Sequence, residues 1–103
     1  MLTGHHEPTA DSLRPLFAPR SIAVIGASPN ANSIGGRIMD ALVQSGFPGA
    51  IYPVNPKAGF IANRQAYASI RDVPGPVDLA VIAIPREGVL RVVDECAEHG
   101  VRT

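Results

Sequence analysis

The sequence predicts an α/β domain: a Rossmann-like, doubly wound parallel sheet that is truncated before its fourth strand. Three observations carry this expectation. The runs "IAVI" (22–25) and "LAVIAI" (79–84) are apolar throughout, as strands covered on both faces are. Each is followed by a stretch whose apolar residues recur at helical spacing. The resulting order of strand, helix, strand, crossover, strand and helix implies parallel pairing through right-handed connections.

Taken in order, residues 1–12 are polar, contain Pro8 and lack a period, so they read as a flexible leader ahead of a domain spanning 13–103. Leu13, Leu16 and Phe17 form a short apolar cluster, expected to pack on the domain's outside, and Pro19 ends any turn there. After "IAVI", the spacing of Ile34, Ile38 and Leu42, flanked by Met39 and Val43, predicts a helix of about twelve residues. Ser33 is placed as its N-cap and Gly46 as its left-handed terminator. "AIYPV" (50–54) is a second strand, and Pro53 puts it at an edge or near its own end. A short helical candidate, Tyr67 to Arg71, lies within the proline- and glycine-rich crossover. "LAVIAI" is the third strand, stopped by Pro85. Val89, Val93 and Ala97, with Val92 and Cys96, then form a helical stripe ending at Gly100. A fourth strand is due next, yet the sequence stops at Thr103, which reads as a fragment or a truncated member of a longer family with an open edge beside "LAVIAI".

Composition narrows the function classes. The chain has 103 residues, enough for one domain that buries roughly 60 to 65 % of its unfolded surface. Nine basic and nine acidic side chains cancel, and 46 % of residues are apolar, which argues against disorder and against a nucleic-acid footprint. The single cysteine, Cys96, excludes an internal disulfide and fits a reducing cytoplasm. Neither a signal peptide nor a membrane-spanning run is legible in the sequence.

In such a sheet the ligand crevice lies at the carboxyl ends of the strands, where the winding reverses. Three segments are expected to meet there: Gly26 to Ser33, Asn55 to Lys57, and Ile84 to Arg86. The first resembles a dinucleotide fingerprint and then departs from it, because Gly26 is followed by Ala27 and Ser28 and the next glycines are Gly35 and Gly36. A helix that opens after such a loop offers unpaired N–H groups and a positive dipole end to a phosphate. Ser28 and Ser33 would add hydroxyls, although Ser33 is first of all a cap, and Gly35 would let a ligand approach the first turn. At the end of the second strand, where an NAD-binding domain keeps a carboxylate, this chain has "VNPK". Lys57 therefore points to an extra phosphate on the ligand's ribose, which leaves NADP and coenzyme A.

The other titratable groups read as structural or solvated. His5 and His6 fall in the leader and His99 near a helix end. Cys96 is a small core residue, and Asp94, Glu95 and Glu98 form a solvated face. No nucleophile with a base, no catalytic carboxylate pair and no metal cluster is legible, so no catalytic or metal-binding residue is expected.

The segments "LFAPRSIAVIGAS", "SIGGRIMDALVQSGFPGAIYPVNPK", "AYASIRDVPGPVDLAVIAIP" and "VVDECAEHGVR" together resemble the N-terminal CoA-binding domain of the ADP-forming acyl-CoA synthetases, of the acetate–CoA ligase type, from about Leu16 to Thr103. The alpha subunit of succinyl-CoA synthetase and some bacterial protein lysine acetyltransferases open with similar domains. The resemblance implies coenzyme A, or an acyl-CoA, in the crevice. By motif match, Ser28 and the segment of Asn32, Ser33 and Ile34 would meet the nucleotide's phosphates, with Gly26 and Gly35 also counted among the cofactor-binding residues. Lys57 would face its phosphorylated ADP portion, and Ile84 with Pro85 would line the path of the pantetheine arm. It also implies that the phosphohistidine and ATP-grasp portions of the ligase lie elsewhere, on the same or another chain, so that this segment is not catalytic alone. In "FIANRQAY", Asn63 stands where the family commonly has glycine, and asparagine tolerates the left-handed backbone such a turn needs.

Overall fold

The computed structural model describes residues 18–103; the expected leader, His5, His6 and the cluster of Leu13, Leu16 and Phe17 lie outside the described residues. A three-stranded parallel sheet forms the centre. It consists of β1 (Ser21–Ile25), β2 (Ala50–Val54) and a third strand from the far end of the chain, with β1 in the middle. Between β2 and that third strand lies a small antiparallel pair, β3 (Phe60–Ile61) and β4 (Arg64–Gln65), so the third sheet strand is β5 (Leu79–Ile82). Two helices flank the sheet, α1 (Ile34–Gln44) and α2 (Val89–His99).

β1 is buried along its whole length and feeds two cores by alternation. Ile22 and Val24 face Met39 of α1, with Ile51 and Ile61. Ala23 and Ile25 face Val92 and Cys96 of α2, with Ile70, Val73 and Val77. The apolar run of β1 thus reflects cover on both faces, as the sequence suggests.

Hydrogen bonds at the strand starts fix the register. The Ser21 hydroxyl donates to the Pro76 carbonyl (2.9 Å) and accepts from the Asp78 amide (3.0 Å), while the Asp78 carboxylate accepts from the Arg20 amide (2.8 Å). Ile22 then stands opposite both Ile51 and Leu79, and the three strands end level with one another. Pro53 fits β2 because β2 is an edge. Its carbonyl points away from β1, toward the Tyr67 amide (2.9 Å), so its missing N–H falls on the outer side.

The helix limits follow their caps. Ser33 Oγ accepts from the Gly36 amide (3.0 Å), and Gly46 and Gly100 carry left-handed backbone just past α1 and α2. Four expectations need correction. Ile34 heads α1 but is 72 % exposed, and the helix's buried residues are Gly35, Gly36 and Met39, because the first turn sets its glycines rather than Ile34 against the loop after β1. The helical candidate Tyr67 to Arg71 is a shorter 3-10 turn, Ile70–Asp72: Tyr67 is held extended by its bonds to Pro53 and Asn55, so winding starts only after Ser69. The third strand closes at Ile82, although the Ala83 amide still donates to the Ile25 carbonyl (2.7 Å). Val93 and Ala97 are exposed, lining a shallow groove with Ala80, Ile82 and Val101 on the outer side of β5. Along that edge Ala80 donates to the Thr103 carbonyl (2.9 Å) and Arg102 to the Val77 carbonyl (3.3 Å). The β3–β4 turn is built on Ala62 and Asn63, both left-handed, so the tolerance of asparagine is used there.

Gly26 ends β1 at φ +95°, and a Cβ there would run into the Ala83 carbonyl. Gly26→Ala is expected to cost about 2–5 kcal/mol through left-handed strain and overpacking. The control Gly59→Ala, at a site with nothing within 4 Å and no left-handed backbone, stays within about 0.5 kcal/mol of wild type. Urea unfolding of the three proteins checks both.

Candidate functional site

The three segments expected to converge do so. The Gly26 amide donates to the Val54 carbonyl (3.0 Å), which ties the β1 loop to the end of β2. Asn55 adds a side-chain link: its Nδ2 donates to the Ala27 carbonyl (2.9 Å) and its Oδ1 accepts from the Lys57 amide (2.7 Å). The Ala83 bond to Ile25 brings the Ile84–Pro85 turn alongside.

Between them opens a cavity of about 660 Å³. Ile25, Val54, Ile70, Ile84 and Val92 give it apolar walls, Gly26 and Asn55 part of its floor, and Pro85 an exposed rim. Its far wall, which the sequence did not reveal, comes from Ser69, Arg71 and Asp72 of the crossover and Arg91 and Glu95 of α2. Arg71, Arg91 and Glu95 there are paired. Arg71 bonds Glu98 (2.7 Å), and this hydrogen bond, then the pair's attraction, holds the guanidinium above its usual range. Glu95 accepts from Arg91 on Oε2 and from the Ser69 hydroxyl on Oε1, both at 3.2 Å. Asp94 and Glu98 are exposed as expected. Glu95 is not: its side chain is 12 % exposed, because it lies one α-helical turn from Val92 and turns toward the cavity.

Gly26, Ile84 and Pro85 line this cavity. Ser28, Asn32, Ser33, Ile34, Gly35 and Lys57 do not; they lie on the loop and helix start beside it and on the turn after β2. The loop is ordered by its own side chains. Ser28 Oγ accepts from the Asn30 amide (3.0 Å), Asn30 Oδ1 accepts from the Asn32 amide (2.9 Å), and Ser33 Oγ donates to the Asn30 carbonyl (2.7 Å). Ser33 is therefore fully used as a cap, whereas Ile34 is exposed on a first turn whose leading N–H groups have no intrahelical acceptor. Gly35 is buried, and a Cβ there would strike the Gly26 carbonyl, so its smallness serves the packing of α1 on the β1 loop.

Among the described residues, no three His, Cys, Asp or Glu gather as a metal site, and no helix is long and apolar enough to cross a membrane. His99 shares a hydrogen bond with the Gly75 carbonyl (3.1 Å), a structural tie.

Cys96 is buried in the core, and burial first, then nearby Glu95, pushes its thiol above the ordinary range. The folded state thus favours the neutral thiol. Its contribution is whole at neutral pH and fades as pH rises past the ordinary thiol range, where only the unfolded chain ionises. Urea midpoints taken from neutral to alkaline pH should fall more steeply for wild type than for Cys96→Ala.

Comparison with known proteins places these features. The family described as "CoA binding domain" matches residues 20–103. Acetate–CoA ligase (ADP-forming) II of Archaeoglobus fulgidus is 48 % identical over 94 residues, which cover 91 % of this chain and 14 % of that protein. The alpha subunit of acetate–CoA ligase (ADP-forming) I of Pyrococcus furiosus is 44 % identical over 88 % of this chain and 21 % of its own length. The structure of acetyl-coenzyme A synthetase 1 from Ca. Korarchaeum cryptofilum, in complex with phosphate and ADP, superposes with a TM-score of 0.84 at 44 % identity, covering 86 % of this chain and 19 % of that one. The chain thus corresponds to a small part of these relatives.

Proposed function

The chain belongs to the CoA-binding domain family, and on that premise we propose that it binds coenzyme A or an acyl-CoA as the CoA-docking module of an ADP-forming acid–CoA ligase. The ligase and ATP-grasp portions would be supplied by the same or another chain, and this segment would hold the thiol-bearing substrate rather than perform the phosphoryl chemistry.

The observation that carries the reading is the meeting of three strand ends around one apolar cavity with a phosphate-suited helix start beside it. Coenzyme A has parts that suit each. The adenine, flat and largely apolar, fits between the Ile84 and Ile70 walls. The diphosphate lies along Gly26 to Ile34, where Ser28, the Asn32–Ser33–Ile34 segment and the leading N–H groups of α1 can meet it. Lys57, exposed on the turn after β2, faces the 3′-phosphate. The pantetheine arm leaves over Ile84 and the exposed rim at Pro85.

A thermal-shift and calorimetric series with CoA, acetyl-CoA, dephospho-CoA, NADH and NADPH tests this. CoA and acetyl-CoA should stabilise the protein. Lys57→Ala should weaken CoA binding about three- to tenfold, as loss of one charge-assisted contact does, and leave dephospho-CoA, which has no 3′-phosphate, nearly unaffected. Stabilisation by NADPH alone would reject the proposal.

A further inference from the structure

A ligand with several negative charges is an odd guest for a cavity that contains a carboxylate. Glu95 is nonetheless mostly shielded from solvent, lines the cavity and is fixed there from two sides by Arg91 and Ser69. Arg91 offsets its charge, and Ser69 orients one oxygen. A carboxylate has room for about four hydrogen bonds, so each oxygen keeps a lone pair for a further donor.

Among the parts of CoA, only the adenine both fits an apolar slot and carries a compact donor at one edge, its exocyclic amine. Phosphates would be repelled. The remaining donors of the pantetheine arm are spread along a flexible chain and do not suit one fixed acceptor at the end of a slot. Ile84, Ile70 and Val92 supply the faces for a flat ring, and Glu95 stands between Arg91 and Ser69 on the far wall. From this arrangement we propose that Glu95 is a specificity-determining residue that accepts a hydrogen bond from the adenine amine, positioned for it by Ser69 and Arg91. The inference rests on the CoA reading of the cavity and assigns the base to a particular acceptor. It also gives a reason for the carboxylate's presence: the amine is the donor that the apolar walls cannot satisfy, and a buried unpaired donor is costly.

The test compares CoA with its etheno derivative, in which the exocyclic nitrogen is tied into a ring and carries no hydrogen. Binding is measured by calorimetry on the full chain. Wild type should prefer CoA by about tenfold or more, the effect of losing a hydrogen bond to a charged group. Glu95→Met keeps the side chain's volume without the acceptor, and its preference should fall to about threefold or less. Glu95→Gln retains an acceptor oxygen and should restore most of the preference. Thermal melts without ligand verify that each variant is folded. A preference that persists unchanged in Glu95→Met reflects the extra ring's bulk and overturns the inference, as does equal binding of the two ligands by wild type; both leave the CoA reading intact. Failure of wild type to bind CoA at all overturns that reading and this inference together.

Discussion

Three backbones meet at Gly26, and the rest of the structure is arranged around that contact. The Gly26 carbonyl lies where Gly35 has no side chain, which seats the start of α1 on the β1 loop. The Ala83 carbonyl lies where Gly26 has no side chain, which seats the end of β5 beside it. The Gly26 amide, donating to Val54, adds the end of β2. Two glycines thus let the start of α1 and the end of β5 approach the end of β1 more closely than Cβ atoms would allow. The cavity opens beside this junction, and its shape depends on the level strand ends that the Ser21 and Asp78 hydrogen bonds set at the opposite end of the sheet.

The same junction separates two kinds of surface. On the α1 side lies a polar loop whose hydroxyl and amide groups are mostly spent on its own turns, through Ser28, Asn30 and Ser33. On the α2 side lies an apolar slot whose far-wall charges include paired Arg and Glu side chains. Pairing matters energetically. An isolated arginine or glutamate at a partly desolvated wall would cost more than it returned, whereas paired groups cost less and keep defined positions. Order that the loop builds from its own side chains would also lower the conformational cost of binding a ligand in the proposed site.

The strands and helices were legible because each has a local signature. "IAVI" is apolar on both faces because it feeds two cores, Pro53 marks an outer edge, and Ser33 and Gly46 bracket α1. The crossover was much less legible. β3 and β4 are two residues each, too short to show alternation, and the left-handed backbone at Ala62 has no glycine to announce it. Tyr67 carries helical spacing with Ile70 and Arg71, yet pairing with β2 keeps it extended, so a tertiary contact overrides the local pattern. The candidate site divides in the same way. Gly26, Ile84 and Pro85 follow from topology, because strand ends converge in any such sheet. Ser69, Arg71, Arg91 and Glu95 do not, since their convergence depends on which face the crossover covers. The available signal was the spacing of Glu95 from Val92, which places it partly on the inward stripe rather than on the solvated face with Asp94.

Gly35 shows how one residue type serves two readings. In the sequence, a glycine at the first turn of a helix after a strand is compatible with close approach by a ligand or by the protein's own backbone. The structure sets the Gly26 carbonyl against this glycine, and in the proposed site the leading amides of α1, the Ser28 hydroxyl and Lys57 would carry phosphate recognition. Backbone amides are fixed by the helix, whereas Lys57 stands on an exposed turn held at its amide by Asn55. Asn55 therefore links the two halves of the site, since its other polar atom holds the Ala27 carbonyl on the loop that carries Ser28. A polar side chain with each end bound to a different segment keeps those segments in register more firmly than packing at a sheet's edge alone. The backbone spacing between the turn that carries the lysine and the loop that leads to the helix is in this way set by the folded domain itself.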